Sequence, residues 1–262
     1  MSDGLVGYDV TENVAVLTLQ SPQNLNALSD AMLAALKHAL ERLGEDRRAR
    51  VAILKGVGKA FCAGHDLKEM QAGRAKADGG AQYFADLFTR CGEVMQMIPA
   101  LPQPVIAQVH GIATAAGCQL VASCDMAVAA SDARFGVNGV NIGLFCSTPM
   151  VALSRNIPRK AAFEMLTTGE FIGASRAQEL GLINRTAAPE DLAQETLDLA
   201  RTVAGKLTAA VRIGKRAFYD QIDLPLDQAY RHTGEVMVEN MLLRDTDEGI
   251  RAFIEKRQPD WA

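Results

Sequence analysis

The feature that most restricts the fold of this chain is a pair of short apolar runs. Each run is followed directly by a loop of small residues. The runs are residues 51–54 and Val105–Val109, and both consist mainly of Val, Ile, Leu and Ala. A run without polar alternation is typical of a strand that is covered on both faces. The sequence therefore predicts an α/β fold, with helices layered against a sheet that contains these strands.

Strand and helix patterns alternate along the first half of the chain. Strands are predicted at Val14–Leu19 and Met126–Ala130, and an amphipathic helix with Ser29 as its N-cap follows the first of them. Residues 71–80 contain three glycines and several charges and are interpreted as a mobile surface segment. A second amphipathic helix ends before Pro102. Beyond about residue 145, helices are predicted over residues 147–155, 159–167, 175–180, 189–206, 208–221, 225–243 and 246–256.

Composition argues against several classes of function. The chain has 262 residues, of which 48% are hydrophobic and 22% charged, so it can bury a large core. A net charge of −4 without a basic tract gives no support to nucleic-acid binding, and no apolar run reaches the roughly 18 residues of a membrane span. The residues after Met1 resemble neither a signal peptide nor a transit peptide, which predicts a cytoplasmic protein. The five cysteines lack CxxC spacing and are expected to be buried thiols, without a metal.

Three common motifs are incomplete. The pair Gly58-Lys59 lacks the Ser or Thr that follows it in a phosphate-binding loop, and Ile53 stands where that loop requires its first glycine. The glycines at positions 136, 139 and 143 are spaced wrongly for a dinucleotide fingerprint. The chain has no GxSxG elbow of a serine hydrolase. These functions are therefore disfavoured.

Two segments share a pattern that suits the binding of a carbonyl oxygen. Residues 61–67 (FCAGHDL) and 110–118 (HGIATAAGC) each follow a predicted buried strand, contain small residues and lead into a predicted helix. Free backbone N–H groups at such turns can bind a carbonyl oxygen. If the two strands are neighbours, the turns can direct two N–H donors at one oxygen, which is an oxyanion hole. The alternative is that the small residues only permit close packing of helix against strand.

These segments resemble the enoyl-CoA hydratase/isomerase, or crotonase, superfamily, and the resemblance covers nearly the whole chain. The matching stretches are residues 24–28, 59–70, 117–120, 124–125, 139–149, 158–160, 169–170, 177–183 and 248–257. The resemblance implies a crotonase-type spiral of ββα turns over residues 1–200. It also implies a helical C-terminal region, residues 201–262, that joins protomers into homotrimers or hexamers. The implied ligand is an acyl-CoA thioester, with coenzyme A as part of the substrate, so no separate cofactor is expected.

The resemblance also assigns residues to the site. It implies that the backbone N–H groups of His65 and Ala116 hold the thioester oxygen. Much of the family has Gly at the second position, and Ala offers the same N–H if its φ is negative. The residues implied to contact coenzyme A are Ala63, Gly64 and Asp66 at the adenine end, Lys68 at the entrance, Asn26 and Ala27 along the pantetheine path, and Lys256 from an adjacent protomer.

The chain departs from the family at both acid–base positions. Hydratases use two glutamates, and the matching positions here hold Gln119 and Gly139. Gln does not titrate and Gly has no side chain, so neither can act as a general acid or base, although Gln119 can orient a water. Cys146 is a candidate nucleophile only if its pKa is depressed. Ser147 and Thr148 either cap the helix that follows, with Pro149 as its first residue, or position a water.

Two functions of different class remain open. The first is an enoyl-CoA hydratase-like lyase of acyl-CoA metabolism, or a relative that catalyses isomerisation, decarboxylation or thioester hydrolysis. The second is a non-catalytic acyl-CoA-binding or regulatory protein that keeps the pocket without the acid–base pair. The two oxyanion segments favour the first function, and the loss of both glutamates favours the second.

Overall fold

The computed structural model describes residues 4–261, which form a six-stranded sheet, a three-stranded sheet and the helices around them. The strands are β1 (Val6–Thr11), β2 (Val14–Leu19), β3 (Val51–Gly56), β4 (Val105–Val109), β5 (Ile112–Thr114), β6 (Met126–Ala130), β7 (Arg134–Gly136), β8 (Ile172–Gly173) and β9 (Arg185–Ala187). The helices are α1 (Asp30–Glu45), α2 (Leu67–Arg74), α3 (Ala81–Ala100), α4 (Ala116–Ser123), α5 (Pro149–Asn156), α6 (Arg159–Thr168), α7 (Ala174–Leu180), α8 (Leu192–Ala204), α9 (Thr208–Gln221), α10 (Leu226–Met241) and α11 (Arg244–Glu255). Short 3₁₀ helices span Pro22–Asn24 and Asn138–Ile142.

The larger sheet has the order β1-β2-β3-β4-β6-β9 and is parallel except for the β1–β2 hairpin. Ile53 of β3 pairs with Ile106 of β4, so the two apolar runs are neighbouring interior strands, as the α/β prediction requires. The smaller sheet places β7 between β5 and β8. Since parallel strands end at the same edge of a sheet, the loops after β3 and β4 emerge side by side.

Helix α1 shows how apolar spacing determines which face of a helix is buried. Ser29 caps it, and the Ser29 Oγ accepts a hydrogen bond from the Met32 N–H at 3.1 Å, which confirms the predicted cap. The buried residues recur at steps of three and four and form one face against the sheet; they include Leu33, Leu36, Leu40 and Leu43. Burying a leucine side chain in this way contributes about 1.5–3 kcal/mol.

The prediction for residues 71–80 is wrong in its first half. Helix α2 continues to Arg74, and Gly73 is buried against the Tyr83 ring of α3. A methyl group placed on Gly73 would lie 2.2 Å from the nearest ring carbon, so the glycine is there for close packing. A glycine in a charged stretch is typical of a mobile loop, and the sequence does not show that the Tyr83 ring packs against this one.

Three helices, α9 to α11, form the C-terminal region. Helix α9 is joined to the core through Lys215, whose ammonium contacts Asp125 at 2.7 Å. The predicted domain boundary at residue 200 falls inside α8 and stays a prediction. No helix within residues 4–261 is both long and apolar enough to cross a membrane.

Candidate functional site

The two turns identified in the sequence lie against each other at the ends of β3 and β4. Cys62 and Ala113 form a parallel bridge. The Cys62 N–H donates to the Ile112 carbonyl at 3.2 Å, and the Cys62 carbonyl accepts from the Thr114 N–H at 3.0 Å. These bonds lock the first turn to the second, so the juxtaposition that an oxyanion hole needs is built into the backbone.

Two glycines allow the turns to come this close. A methyl group placed on Gly117 would lie 2.1 Å from the Cys62 carbonyl oxygen, and one placed on Gly64 would lie 3.2 Å from the Ala116 nitrogen. Gly64 also has a φ of +87°, a conformation that disfavours any side chain. The Gly64 carbonyl carbon is bonded to the His65 nitrogen, so the close approach of Gly64 to the second turn limits how far apart the two proposed donors can lie.

Both amides are free to bind a ligand. Within the described residues 4–261, neither the His65 N–H nor the Ala116 N–H has a hydrogen-bond acceptor. Ala116 is the first residue of α4, so its N–H also lies at the positive end of the helix dipole. Positive φ occurs at Ala115 but not at Ala116, which meets the condition stated for an alanine at this position.

Sequence reasoning missed two residues that shape the second turn. Ala115 has φ 50° and ψ −120°, a strained conformation for alanine, and its N–H donates to the Gly136 carbonyl at 2.9 Å. The Thr114 hydroxyl donates to the Asn138 carboxamide at 2.6 Å and ties the turn to the 3₁₀ helix that contains Gly139. An alanine in the sequence does not indicate positive φ. Thr114, the one hydroxyl residue among the small residues of this turn, could have indicated a side-chain hydrogen bond there.

The His65 ring is directed into the protein rather than to solvent. It packs edge-on against Phe88 of α3, with the ring centroids 5.7 Å apart. Neither ring nitrogen has a hydrogen-bond partner among residues 4–261, and burial lowers the pKa of the imidazole. Burial therefore favours the neutral form of the ring.

Gln119 lies on α4, three residues after Ala116, and is only 4% exposed. Its backbone is fully engaged, since its N–H donates to the Ala115 carbonyl at 3.0 Å and its carbonyl accepts from the Ser123 hydroxyl at 2.9 Å. Its side-chain Oε1 is buried and lacks a hydrogen-bond donor in the part of the chain that the structure describes. The helix that begins at Ala116 thus carries a buried acceptor that has no donor among the described residues.

The space beside Gly139 is already filled. A methyl group placed on Gly139 would lie 2.3 Å from the Leu144 carbonyl oxygen and 2.8 Å from the Cys146 Sγ. The Leu144 N–H donates to the Gly139 carbonyl at 2.9 Å, which holds the intervening loop in place. The position therefore lacks both an acid–base group and the volume for one.

The structure does not favour Cys146 and Ser147 in the roles considered for them. Burial raises the pKa of the Cys146 thiol, so the depressed pKa that a nucleophile needs is not met. Helix α5 has Thr148 as its N-cap, and no side chain from residues 4–261 caps it, so the capping role predicted for Ser147 is wrong. The Ser147 hydroxyl instead donates to the Phe145 carbonyl at 3.4 Å.

Two side chains on the predicted coenzyme A path are used inside the protein. The Asn26 carboxamide accepts from the Ser21 N–H and donates to the Val57 and Ala60 carbonyls, each at 2.9 Å. The Asp66 carboxylate caps α2 by accepting from the N–H groups of the second and third helical residues. The remaining predicted contacts are Ala27, which is buried, Ala63, which is half-buried, and Lys68 and Lys256, which are exposed. The ligand roles of these residues stay predictions.

A family model described as enoyl-CoA hydratase/isomerase matches residues 9–262. The chain belongs to this family. Enoyl-CoA hydratase domain-containing protein 3, mitochondrial, of Xenopus laevis is 45% identical over 245 residues, which are 94% of this chain and 82% of the relative. The crystal structure of an enoyl-CoA hydratase of Mycobacterium smegmatis has a TM-score of 0.94 and 54% identity and covers 98% of both chains. That of human enoyl-CoA hydratase domain-containing protein 3 has a TM-score of 0.93 and 43% identity over 98% of this chain and 100% of the other. The predicted crotonase fold is confirmed.

The predicted cytoplasmic location is wrong by the same comparison. Relatives in frog, rat, mouse, human and zebrafish all have the word mitochondrial in their names. The prediction depended on the first few residues, and residues 1–3 lie outside the described part of the chain. Buried free thiols indicate a reducing environment, which does not by itself distinguish one compartment of the cell from another.

Proposed function

We propose that this protein binds an acyl-CoA thioester and polarises its carbonyl with the N–H groups of His65 and Ala116. The proposal is supported by the contact between the two turns that contain these amides, neither of which has an acceptor among residues 4–261. Donors fixed in advance stabilise the negative charge that develops on the oxygen of an enolate-like transition state, at little cost of reorganisation. Coenzyme A enters as part of the substrate, and the chemistry needs no further cofactor.

The proposed reaction is a hydratase-like addition of water to a 2-enoyl-CoA, within acyl-CoA metabolism. Polarisation of the thioester makes the β-carbon electrophilic, and the Gln119 carboxamide orients the water. Since Gln119 and Gly139 cannot exchange protons, the protons pass to and from solvent. The rate is then lower by the roughly 10²–10⁴-fold that a general acid or base contributes. The names of the enoyl-CoA hydratase relatives support this reaction.

The second candidate is a protein that binds acyl-CoA without converting it. The lack of free volume beside Gly139 supports this alternative, because the Leu144 carbonyl and the Cys146 Sγ occupy the space that a catalytic side chain would need. A site that keeps the oxyanion donors can still hold a thioester. The two candidates thus share one ligand and differ in turnover.

The coenzyme A moiety is proposed to lie along Asn26, Ala27, Ala63, Gly64, Asp66 and Lys68, with Lys256 supplied by a neighbouring protomer of a homotrimer or hexamer. Lys68 and Lys256 are exposed cations, which suits the phosphates of the ligand. The apolar surface of the C-terminal helices supports the oligomer; it includes Leu226, Tyr230, Leu242, Phe253 and Ile254, each more than 70% exposed. An exposed apolar area of this kind is typical of a protein–protein contact.

The test is to incubate the protein with crotonyl-CoA and longer 2-enoyl-CoAs, following the loss of enoyl absorbance alongside binding calorimetry. Binding with slow turnover is expected. Binding without turnover favours the second candidate, and the absence of binding to every acyl-CoA contradicts both.

The matched variants for this test are Ala116→Pro and Ala116→Ser. Proline is tolerated at the first position of a helix and replaces the N–H with a ring carbon, whereas serine keeps the N–H. We expect Ala116→Pro to lose about 10²–10³-fold in turnover and Ala116→Ser to lose little. Circular dichroism of both variants establishes that they are folded.

A further inference from the structure

A cavity lies at the end of β4 opposite the His65 and Ala116 amides. Its volume is about 550 Å³, and it is enclosed by the C-terminal end of α3, the segment that leads into β4, and α9. The two turns that carry the amides follow the other ends of β3 and β4, and a five-residue strand spans about 16 Å. The cavity is therefore separate from the site proposed for acyl-CoA.

The walls of this cavity are mainly apolar. They include Pro99, Leu101, Pro102 and Ile213. Tyr219 also lines the cavity, and its hydroxyl is held by a hydrogen bond to Asp125 at 2.9 Å. A cavity of this volume, with apolar walls and a few polar groups, is typical of a site for a small molecule. The walls therefore suit a ligand with an apolar body.

Arg212 lines the cavity and lacks a partner. It is half-buried on α9 and forms neither an ion pair nor a hydrogen bond with any residue in the described range 4–261. Its Nε is fully buried, whereas its two Nη nitrogens are not. A partly desolvated cation without a counter-charge is unfavourable. An anion on the Nη groups would relieve this, and a guanidinium binds a carboxylate through two parallel hydrogen bonds.

The other charges at the cavity limit the charge of the ligand. Arg216, one turn beyond Arg212, already pairs with Glu239 at 3.2 Å. Asp220 follows one turn further along α9, with its Oδ2 3.8 Å from the His232 Nε2. The eight residues from Arg212 to Asp220 correspond to about 12 Å of helix, so the two can lie at opposite ends of one ligand. Because two carboxylates lie nearby, a monoanion is favoured over a dianion.

We propose that this cavity binds a small monocarboxylic acid with an apolar body. The carboxylate is held by Arg212, and the body packs against Leu101, Pro102 and Ile213. The inference goes beyond the proposed function and does not depend on it, because none of these residues belongs to the turns that carry the His65 and Ala116 amides. It adds a second ligand class and a second site.

The test is calorimetry of the full-length protein with hexanoate, and with hexanamide as a neutral ligand of the same shape. The native protein is expected to bind hexanoate about tenfold or more tightly than hexanamide, since a hydrogen bond to a charged group is stronger than one between neutral groups. Inorganic phosphate, which has no apolar body, should bind more weakly than hexanoate. An excess of butyryl-CoA should leave the affinity for hexanoate unchanged, because its proposed site is at the other end of β4.

Two variants locate the carboxylate. Arg212→Met removes the guanidinium, keeps an apolar stem, and should weaken hexanoate about tenfold while hexanamide binds as before. Arg176→Met is the matched control, because Arg176 pairs with Glu179 at 2.9 Å on the exposed surface of α7. It removes the same charge elsewhere and should leave hexanoate binding unchanged. Circular dichroism of both variants establishes that they are folded.

Several results would overturn the inference. Hexanoate might bind only above millimolar concentration, bind no better than hexanamide, or bind Arg212→Met as tightly as the native protein. Displacement of hexanoate by butyryl-CoA would place it in the acyl-CoA site instead. Phosphate that binds as tightly as hexanoate would contradict the proposed ligand class. The comparison of hexanoate with hexanamide uses the native protein alone, so it decides the point whether or not a variant folds. None of these results affects the proposed function, which the crotonyl-CoA assay tests separately.

Discussion

At the scale of single residues, position 139 shows why a catalytic group cannot simply be restored. We expect Gly139→Glu to fail to raise the hydration rate of crotonyl-CoA, because its Cβ meets the Leu144 carbonyl at 2.3 Å. Forcing a side chain into this space should lower the free energy of unfolding by about 1–3 kcal/mol. Urea unfolding and the enoyl absorbance assay measure the two effects.

The control for this variant is Gly214→Glu. Gly214 is exposed on α9, and a methyl group placed on it would meet no described atom within 4 Å. The same side chain there should leave stability unchanged or slightly raised, since glycine is unfavourable inside a helix. A Gly139→Glu variant as stable as this control, with faster hydration, would show that the loop between positions 139 and 146 yields easily.

The cysteines provide a pH-dependent test. Burial raises the pKa of the Cys146 thiol and raises those of Cys62, Cys91 and Cys118 to about 12. A raised pKa means less thiolate at a given pH, so native cysteines should react with iodoacetamide far more slowly at pH 8 than the urea-unfolded chain does. Mass spectrometry of the alkylated protein counts the modified thiols. Rapid single labelling of Cys146 at pH 7 would restore it as a candidate nucleophile.

How far the site was predictable from sequence depends on how local each feature is. The His65 and Ala116 amides belong to turns whose small residues are visible in the sequence, so their neighbourhood was foreseen. The filled volume at Gly139 depends on a carbonyl five residues away, and the unpaired Oε1 of Gln119 depends on everything that surrounds it. Such features follow from packing, which no short motif encodes.

At the scale of elements, the attachment of α9 depends on one buried cation. The Lys215 ammonium donates to the Ile98 and Gln103 carbonyls at 2.8 and 2.9 Å and to Asp125 at 2.7 Å. Asp125 also accepts from the Tyr219 hydroxyl at 2.9 Å. Burial lowers the pKa of Lys215, and the charge and hydrogen bond of Asp125 offset that effect only in part. No motif or spacing in the sequence distinguishes this lysine from the others.

Replacing Lys215 should therefore detach α9. We expect Lys215→Met to lower the free energy of unfolding by about 3–5 kcal/mol, because it leaves a buried carboxylate without its cation. The neighbouring Arg216 pairs with Glu239 at 3.2 Å on the surface, so Arg216→Met should cost less than about 1 kcal/mol. Chemical denaturation of the two variants measures the difference, and equal losses would contradict a special role for Lys215.

Long helices and strands could be predicted from the sequence, and very short strands could not. Helices α5 to α11 begin and end within a few residues of the predicted ranges, and β2, β4 and β6 match their predictions, because apolar spacing over several residues is a strong signal. The missed strands β5, β7, β8 and β9 have two or three residues each, too few to show a period. Strand β1 was also missed. It pairs with β2 through a turn at Glu12 and Asn13, which both have positive φ, and such turns usually contain glycine.

At the scale of the whole molecule, the C-terminal region and the core have different surfaces. Residues 4–200 bury most of their large apolar side chains, with Ile142 and Phe163 the most exposed at 62% and 63%. Helices α10 and α11 and the loop between them expose theirs further, at Leu226, Tyr230, Leu242 and Phe253. A single chain gains nothing from exposing these side chains to water. A second copy that covers them would turn their exposure into a source of stability, at about 25 cal/mol per Å² of apolar surface buried.

The oligomer is therefore expected to depend on this surface. Leu242 and Phe253 are 81% and 85% exposed, so replacing both with glutamate should leave the fold of each protomer intact and place charges in the contact. We expect the native protein to sediment as a trimer or hexamer and Leu242→Glu/Phe253→Glu to sediment as a monomer. His38→Glu, on the exposed face of α1, adds one such charge away from the C-terminal helices and should leave the mass unchanged. A native protein that is already monomeric at micromolar concentration, or a double variant that still assembles, would contradict this assignment. A monomeric native protein would also remove the basis for a Lys256 contribution from a neighbour, since that contact requires a second protomer.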